Sequence, residues 1–223
     1  MANNTLKATL EDLKNLNFLL TRFNPKSVKH DDLDILIHSK DFKKSIFTLE
    51  HLGYKQSSHD HALGGRIAGM QVNLIKPGRI KIDLHQDFTW RRNHYLDLDK
   101  LWKISHNKSP NPTWDGFLTM INIIFEKTYF MSDEYEMFQT QWQQIKNSEE
   151  FRQQADKYGW NKTFQAFRSW TDNQLSDKEF PLFLPIRLVL LSYLEKFDFI
   201  SLIYYLFFRI RFVINRRLPY EII

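Results

Sequence analysis

The chain has 223 residues, 43% apolar and 15% aromatic, with 31 basic and 26 acidic side chains and a formal net charge of +5. That length can bury a core in one domain or two modest ones, and that apolar content excludes an intrinsically disordered chain. The absence of cysteine excludes disulfides, thiolate zinc sites and cysteine nucleophiles.

Leu6, Leu10, Leu13, Leu16 and Leu20 recur at helical spacing and predict a helix over residues 5–20. The run DDLDILI over 31–37 alternates apolar and acidic residues. It predicts a strand with Asp32 and Asp34 on one face and Leu33, Ile35 and Ile37 on the other. From Ser39 a helix runs through Phe42, Ile46, Leu49 and Leu52 and stops at Gly53. Residues 70–75 and 79–88 flank Lys76, Pro77 and Gly78 and predict a hairpin. In its second arm Lys81, Asp83, His85 and Asp87 share one face, and Ile80, Ile82, Leu84 and Phe88 share the other. Residues 96–104 suit a further strand or a short helix.

A soft boundary falls at 107–113, around Pro110 and Pro112. Beyond it helical periodicity takes over, with helices expected over 115–129, 133–146, 149–158 and 162–175 and more apolar segments over 183–194 and 197–217. The expected fold class is α+β: a mixed sheet with flanking helices over 1–108, followed by an all-helical unit over 109–223.

If the strands at 32–37 and 80–87 are neighbours, Asp32, Asp34 and Asp83 converge. Three such carboxylates repel one another unless cations neutralise them. Their oxygens suit hard divalent cations such as Mg²⁺, and paired metals of that kind support phosphoryl and nucleotidyl transfer. Lys26, Lys29, Arg66 and Lys81 are the basic residues placed to stabilise a departing pyrophosphate. The plainer reading of an Asp-x-Asp is the solvated face of a half-exposed strand. His85 suits a structural role better than a ligand role, because Mg²⁺ prefers oxygen. Asp87 is expected on the rim, and Tyr54 and Trp90 in the core. His59 and His61 read as hydrated loop residues, and Phe164, Phe167 and Trp170 as a packing stripe.

The Asp32-x-Asp34 strand, the helix ending at Gly53 and Tyr54, and Asp83 on a later strand together resemble the minimal nucleotidyltransferase superfamily. That superfamily contains the polymerase-β-like enzymes, CCA-adding enzymes and aminoglycoside nucleotidyltransferases. The segments DLDILI and IDLH are similar to a bacterial and archaeal branch of it whose members are uncharacterised. The resemblance covers roughly residues 15–105 and implies a nucleotidyltransferase-like sheet. It implies that Asp32 and Asp34 ligate both metals, Mg²⁺ or Mn²⁺, and that Asp83 helps bind the catalytic metal and activates the acceptor hydroxyl. The implied activity is transfer of a nucleoside monophosphate from a nucleoside triphosphate to a hydroxyl or phosphate on a small molecule, RNA or protein. The family carries a Gly-Ser or Gly-Gly pair upstream to hold the triphosphate. Here the corresponding residues 19–27 contain no glycine, and Lys26 and Ser27 stand in that region. The alternative is a catalytically degenerate module that binds a nucleotide or a partner.

The last segment, rich in aromatics with Arg209, Arg211, Arg216 and Arg217, has an uncharged core over 199–208. This is too short to cross a bilayer, which needs about 20 apolar residues. It reads as a buried helix closing the helical unit, or as an interfacial helix making peripheral contact with anionic lipid. The N-terminal MANNTLK lacks the apolar core of a signal peptide. The expectation is therefore a cytoplasmic protein, or one associated with the inner face of the membrane through its C-terminal helix. Mild basicity favours anionic partners. No dense basic block outside the tail and no nucleic-acid motif supports a nucleic-acid partner.

Overall fold

Alternation in the N-terminal half gives each strand two unlike faces, and the sheet is built so that both are used. The computed structural model describes residues 2–23, 32–57, 71–90, 93–106, 108–172, 182–197, 199 and 202–203. Helix α1 (Ala2–Asp12) leads into β1 (Phe18–Thr21) and β2 (Asp32–Ile37). A 3-10 turn (Ser39–Asp41) opens α2 (Phe42–His51), and Gly53 follows with φ 90, a left-handed backbone that suits glycine at a helix end. Then come β3 (Lys55–Gln56), β4 (Gln71–Ile75) and β5 (Lys81–His85). The sheet order is β1-β2-β5-β4-β3; β2 and β5 are parallel and the other neighbours antiparallel. The expected hairpin at 70–88 forms as β4 and β5, and Gly78 in its turn has φ 72.

The helix expected over 5–20 ends early. Asn15 and Asn17 favour turns, and residues 18–21 pair antiparallel with β2. The leucine spacing misled because Phe18 and Leu19 point to opposite faces and enter different cores.

One face of the sheet, with Leu33, Ile35, Ile37, Ile82, Leu84 and Leu74, is covered by apolar residues of α1 and α2. Asp12, at the end of α1, ties this layer to the hairpin. Its Oδ2 accepts hydrogen bonds from Arg79 Nε (2.7 Å), Lys76 Nζ (3.0 Å) and the Tyr54 hydroxyl (3.2 Å). Tyr54 is a buried core residue, as expected from the sequence.

After a short pair, β6 (Thr89–Trp90) and β7 (Asn93–His94), the chain is mostly helical among the described residues, but the unit expected to be all-helical also holds a short antiparallel pair, 129–130 with 182–183, formed where the chain runs extended between helices. Residues 96–104 supply α3 (Leu98–Ile104), with Asp97 accepting from Lys100 N at its start. Helix α4 (Pro112–Asn122) starts with Asn111 as cap and Pro112 in the first turn. Every residue from 114 to 122 is buried, so α4 is the axis of the helical half. A π turn (Ile123–Lys127) follows, ending at Thr128 with φ 62. Next are β8 (Tyr129–Phe130), α5 (Ser132–Ile145), α6 (Glu149–Lys157), α7 (Asn161–Asp172), β9 (Leu182–Phe183) and α8 (Ile186–Leu194). Gly116 lets α4 and α5 approach: a Cβ there would stand 2.4 Å from Ile145 Cδ1 and 2.9 Å from Gln141 Cβ. Glu195 caps α7 by accepting from Lys162 N and Thr163 N, both at 2.7 Å.

The helical core takes in Leu19 and Leu36 from the second face of the sheet. No helix among the described residues is long and apolar enough to cross a membrane. The segment expected to form the tail helix lies almost wholly outside the described residues.

Burial raises the Asp12 carboxyl, but its hydrogen bonds to Arg79 and Lys76 outweigh this and hold it below the usual carboxylate value of 3.8. Its contribution is therefore present above about pH 4 and lost as pH falls through the lowered value. Asp12→Asn is expected to cost about 1–3 kcal/mol at pH 7. Thermal melts should show this deficit shrinking below pH 4; a deficit constant down to pH 2 would contradict the assignment.

Candidate functional site

The parallel register of β2 and β5 sets Asp34 opposite Asp83 and Asp32 opposite Lys81. On the outer side of β2, Thr21 of β1 lies opposite Asp34; on the far side of β5, Asn73 of β4 lies opposite Asp83. Directly paired residues project from the same face, and neighbouring strands are about 4.8 Å apart. The sheet therefore carries a polar row, Thr21–Asp34–Asp83–Asn73, across four strands. Asp32 and Lys81 stand one step below it. One step above are Leu19, Leu36, His85 and Gln71, where the apolar pair joins the helical core.

The carboxylates in and beside this row are held by cations of the chain itself. Asp34 Oδ1 accepts from Arg22 Nη2 at 2.5 Å and lies 3.0 Å from His85 Nε2. Lys81 Nζ bridges the other two, 3.2 Å from Asp83 Oδ1 and 3.6 Å from Asp32 Oδ2. Burial pushes the Asp34 carboxyl upward, but the Arg22 guanidinium and the His85 hydrogen bond outweigh it and hold it far below the usual range. Asp83 behaves oppositely. Burial, with the negative charge of Asp34 beside it, pushes its carboxyl up to about 6 against the pull of Lys81. The residue is 7% exposed, and its Oδ1 accepts no hydrogen bond from any described residue. The Lys81 contact is thus an ion pair without hydrogen-bond alignment.

A fourth carboxylate arrives from the helical half. Asp115, in the first turn of α4, is buried and accepts from Arg22 N at 2.6 Å. Burial pushes its carboxyl up to about 6; the Arg22 amide and charge pull it down, and the charge of Asp34 adds to the rise. Arg22 thus joins two carboxylates, one by its guanidinium and one by its backbone. Its φ of 53 places it in the left-handed region, unusual for a residue with a side chain.

Of the residues singled out in the sequence, Asp32, Asp34, Asp83 and Lys81 come together on one face. His85 stands beside Asp34. Asp87 is set apart from the row and lies 3.3 Å from His94 Nδ1. Lys26, Ser27, Lys29, His59, His61 and Arg66 lie outside the described residues. Arg22 and Asp115 were missed. Arg22 was hidden by the helix expected to end at Leu20, and Asp115 looked like an ordinary acidic residue in a helical first turn. Among the described residues, no three His, Asp or Glu side chains stand close enough as placed to hold a metal ion.

No protein family, curated protein or solved structure matches this chain.

With Asp115 raised from 3.8 to about 6, the folded state binds its proton more tightly than the unfolded state does. Its share of stability is therefore full below about pH 4 and falls as pH rises to about 6. Asp115→Asn keeps an acceptor for Arg22 N and removes the titration. The variant should gain about 1–3 kcal/mol on the parent between pH 4 and pH 8. Urea denaturation at the two pH values measures this, and a pH-independent difference would contradict it.

Proposed function

We propose that this chain is a metal-dependent nucleotidyltransferase that moves a nucleoside monophosphate from a nucleoside triphosphate to an acceptor hydroxyl or phosphate. The observation that carries the proposal is the register of Asp34 against Asp83 on adjacent parallel strands, with Asp32 two residues away on the same face. The resemblance of residues 15–105 to the nucleotidyltransferase superfamily supports the same reading. The donor atoms are of the kind a hard divalent cation takes, although the three carboxylates would have to draw closer to share one. They are carboxylate oxygens, and one of them, Asp83 Oδ1, is buried without a hydrogen bond from a described residue.

In this reading Asp32, Asp34 and Asp83 hold Mg²⁺ or Mn²⁺, which supplies charge neutralisation for the triphosphate. Asp83 takes the proton of the acceptor hydroxyl. Lys81 meets the negative charge that develops on the departing pyrophosphate. Lys26, Ser27, Lys29 and Arg66 are the further phosphate contacts in this proposal.

A second reading, a nucleotide- or partner-binding module without turnover, is favoured by the occupation of the carboxylates by Arg22 and Lys81. It is favoured too by the absence of glycine from residues 19–27.

Incubation with labelled nucleoside triphosphates and a cell extract should label an acceptor. Asp32→Ala and Asp83→Ala should each lower that labelling by about a hundredfold or more while their thermal unfolding stays cooperative. Unchanged labelling in either variant would refute the assignment. Calorimetry separates the readings: the enzyme binds nucleotide in a Mg²⁺-dependent way, and the module binds it equally well in a chelator.

A further inference from the structure

Asp34 is the carboxylate on which the row turns. It is in register with Asp83, and its Oδ1 already has two partners, Arg22 and His85. The geometry of Arg22 is divided. Its backbone N donates to Asp115 Oδ1 at 2.6 Å, and the preceding residue, Thr21, donates through Oγ1 to Asp34 O at 3.2 Å. Its guanidinium sits at the end of a long side chain that is 12% exposed. A guanidinium and a divalent cation compete for one carboxylate oxygen, because like charges at contact distance repel where water is scarce. A guanidinium that leaves a carboxylate is also well suited to phosphate, which it binds with the same planar fork.

We propose that Arg22 is the resident counter-ion of the carboxylate row: a divalent cation on Asp34 displaces its guanidinium, which then pairs with a phosphate of the bound nucleoside triphosphate. This rests on the reading of Asp32, Asp34 and Asp83 as a metal site. The metal-free chain avoids clustered bare carboxylates by neutralising Asp34 with Arg22, while Lys81 serves Asp32 and Asp83. Loading moves the Arg22 side chain while its backbone N keeps its bond to Asp115. Metal and guanidinium are antagonists at Asp34, and metal and nucleotide become cooperative through the same residue.

The test uses the full chain and Mn²⁺ alone as the first probe. Calorimetric titration should show Arg22→Gln binding Mn²⁺ about tenfold more tightly than the parent, within the usual span of coupling between two ligands. Arg22→Lys, which keeps a charge at Asp34, should stay within about threefold of the parent. With Mn²⁺ saturating, Arg22→Gln should bind nucleoside triphosphate about tenfold more weakly. A second measurement needs no variant. Phenylglyoxal labelling of the parent, mapped by peptide mass spectrometry, should modify Arg22 at least about fivefold faster in saturating Mn²⁺ than in a chelator.

Equal or weaker Mn²⁺ binding by Arg22→Gln would overturn the counter-ion role and leave the metal site standing. So would Arg22 labelling indifferent to Mn²⁺. If neither the parent nor Arg22→Gln binds Mn²⁺, the metal-site reading itself fails, and this inference fails with it.

Discussion

The parallel pairing of β2 with β5 places two carboxylates, Asp34 and Asp83, on adjacent strands of one sheet face. Like charges at that spacing in a partly buried site are costly. The chain meets the cost by supplying cations, Arg22 and Lys81, and what remains of it shows in the Asp83 carboxyl, which burial and the charge of Asp34 push up to about 6. Much else follows from that pairing. The opposite face of the two strands must be apolar to hold the sheet on α1 and α2, and Leu33, Ile35, Ile82 and Leu84 are fully or almost fully buried there.

The helical half is packed onto the same face that bears the carboxylates. Leu19 and Leu36, one step above the row, belong to the core built around α4. Aromatic contacts fill that core, with Phe117 against Phe151 and Trp160, and Phe130 against Phe138. Asp115 extends from α4 back to the amide of Arg22. The helical core therefore helps set the position of the residue that neutralises Asp34, which links packing in one half of the chain to electrostatics in the other.

The strand alternation made the acidic face legible before any coordinates. Period-two patterning names which residues share a face, and turn residues at 76–78 identify the hairpin. Helices α4 to α7 were legible within a few residues from their apolar periodicity. What could not be read was the partner of Asp34. Arg22 lies at the end of a four-residue strand whose leucines imitate helical spacing, and only pairing with β2 decides between the two. Asp115 is 81 residues from Asp34 in sequence, and no local signal distinguishes a helical first-turn aspartate that faces solvent from one buried against another element.

The central claim is that the face carrying Asp32, Asp34 and Asp83 is built for divalent cations. The most direct measurement is anomalous diffraction from crystals of the full chain soaked in Mn²⁺. The account predicts an anomalous peak at about 2.1 Å from carboxylate oxygens of Asp34 and Asp83, the coordination distance of a small hard cation. Crystals that show Mn²⁺ elsewhere on the chain, or none, with Arg22 still seated on Asp34, would contradict it.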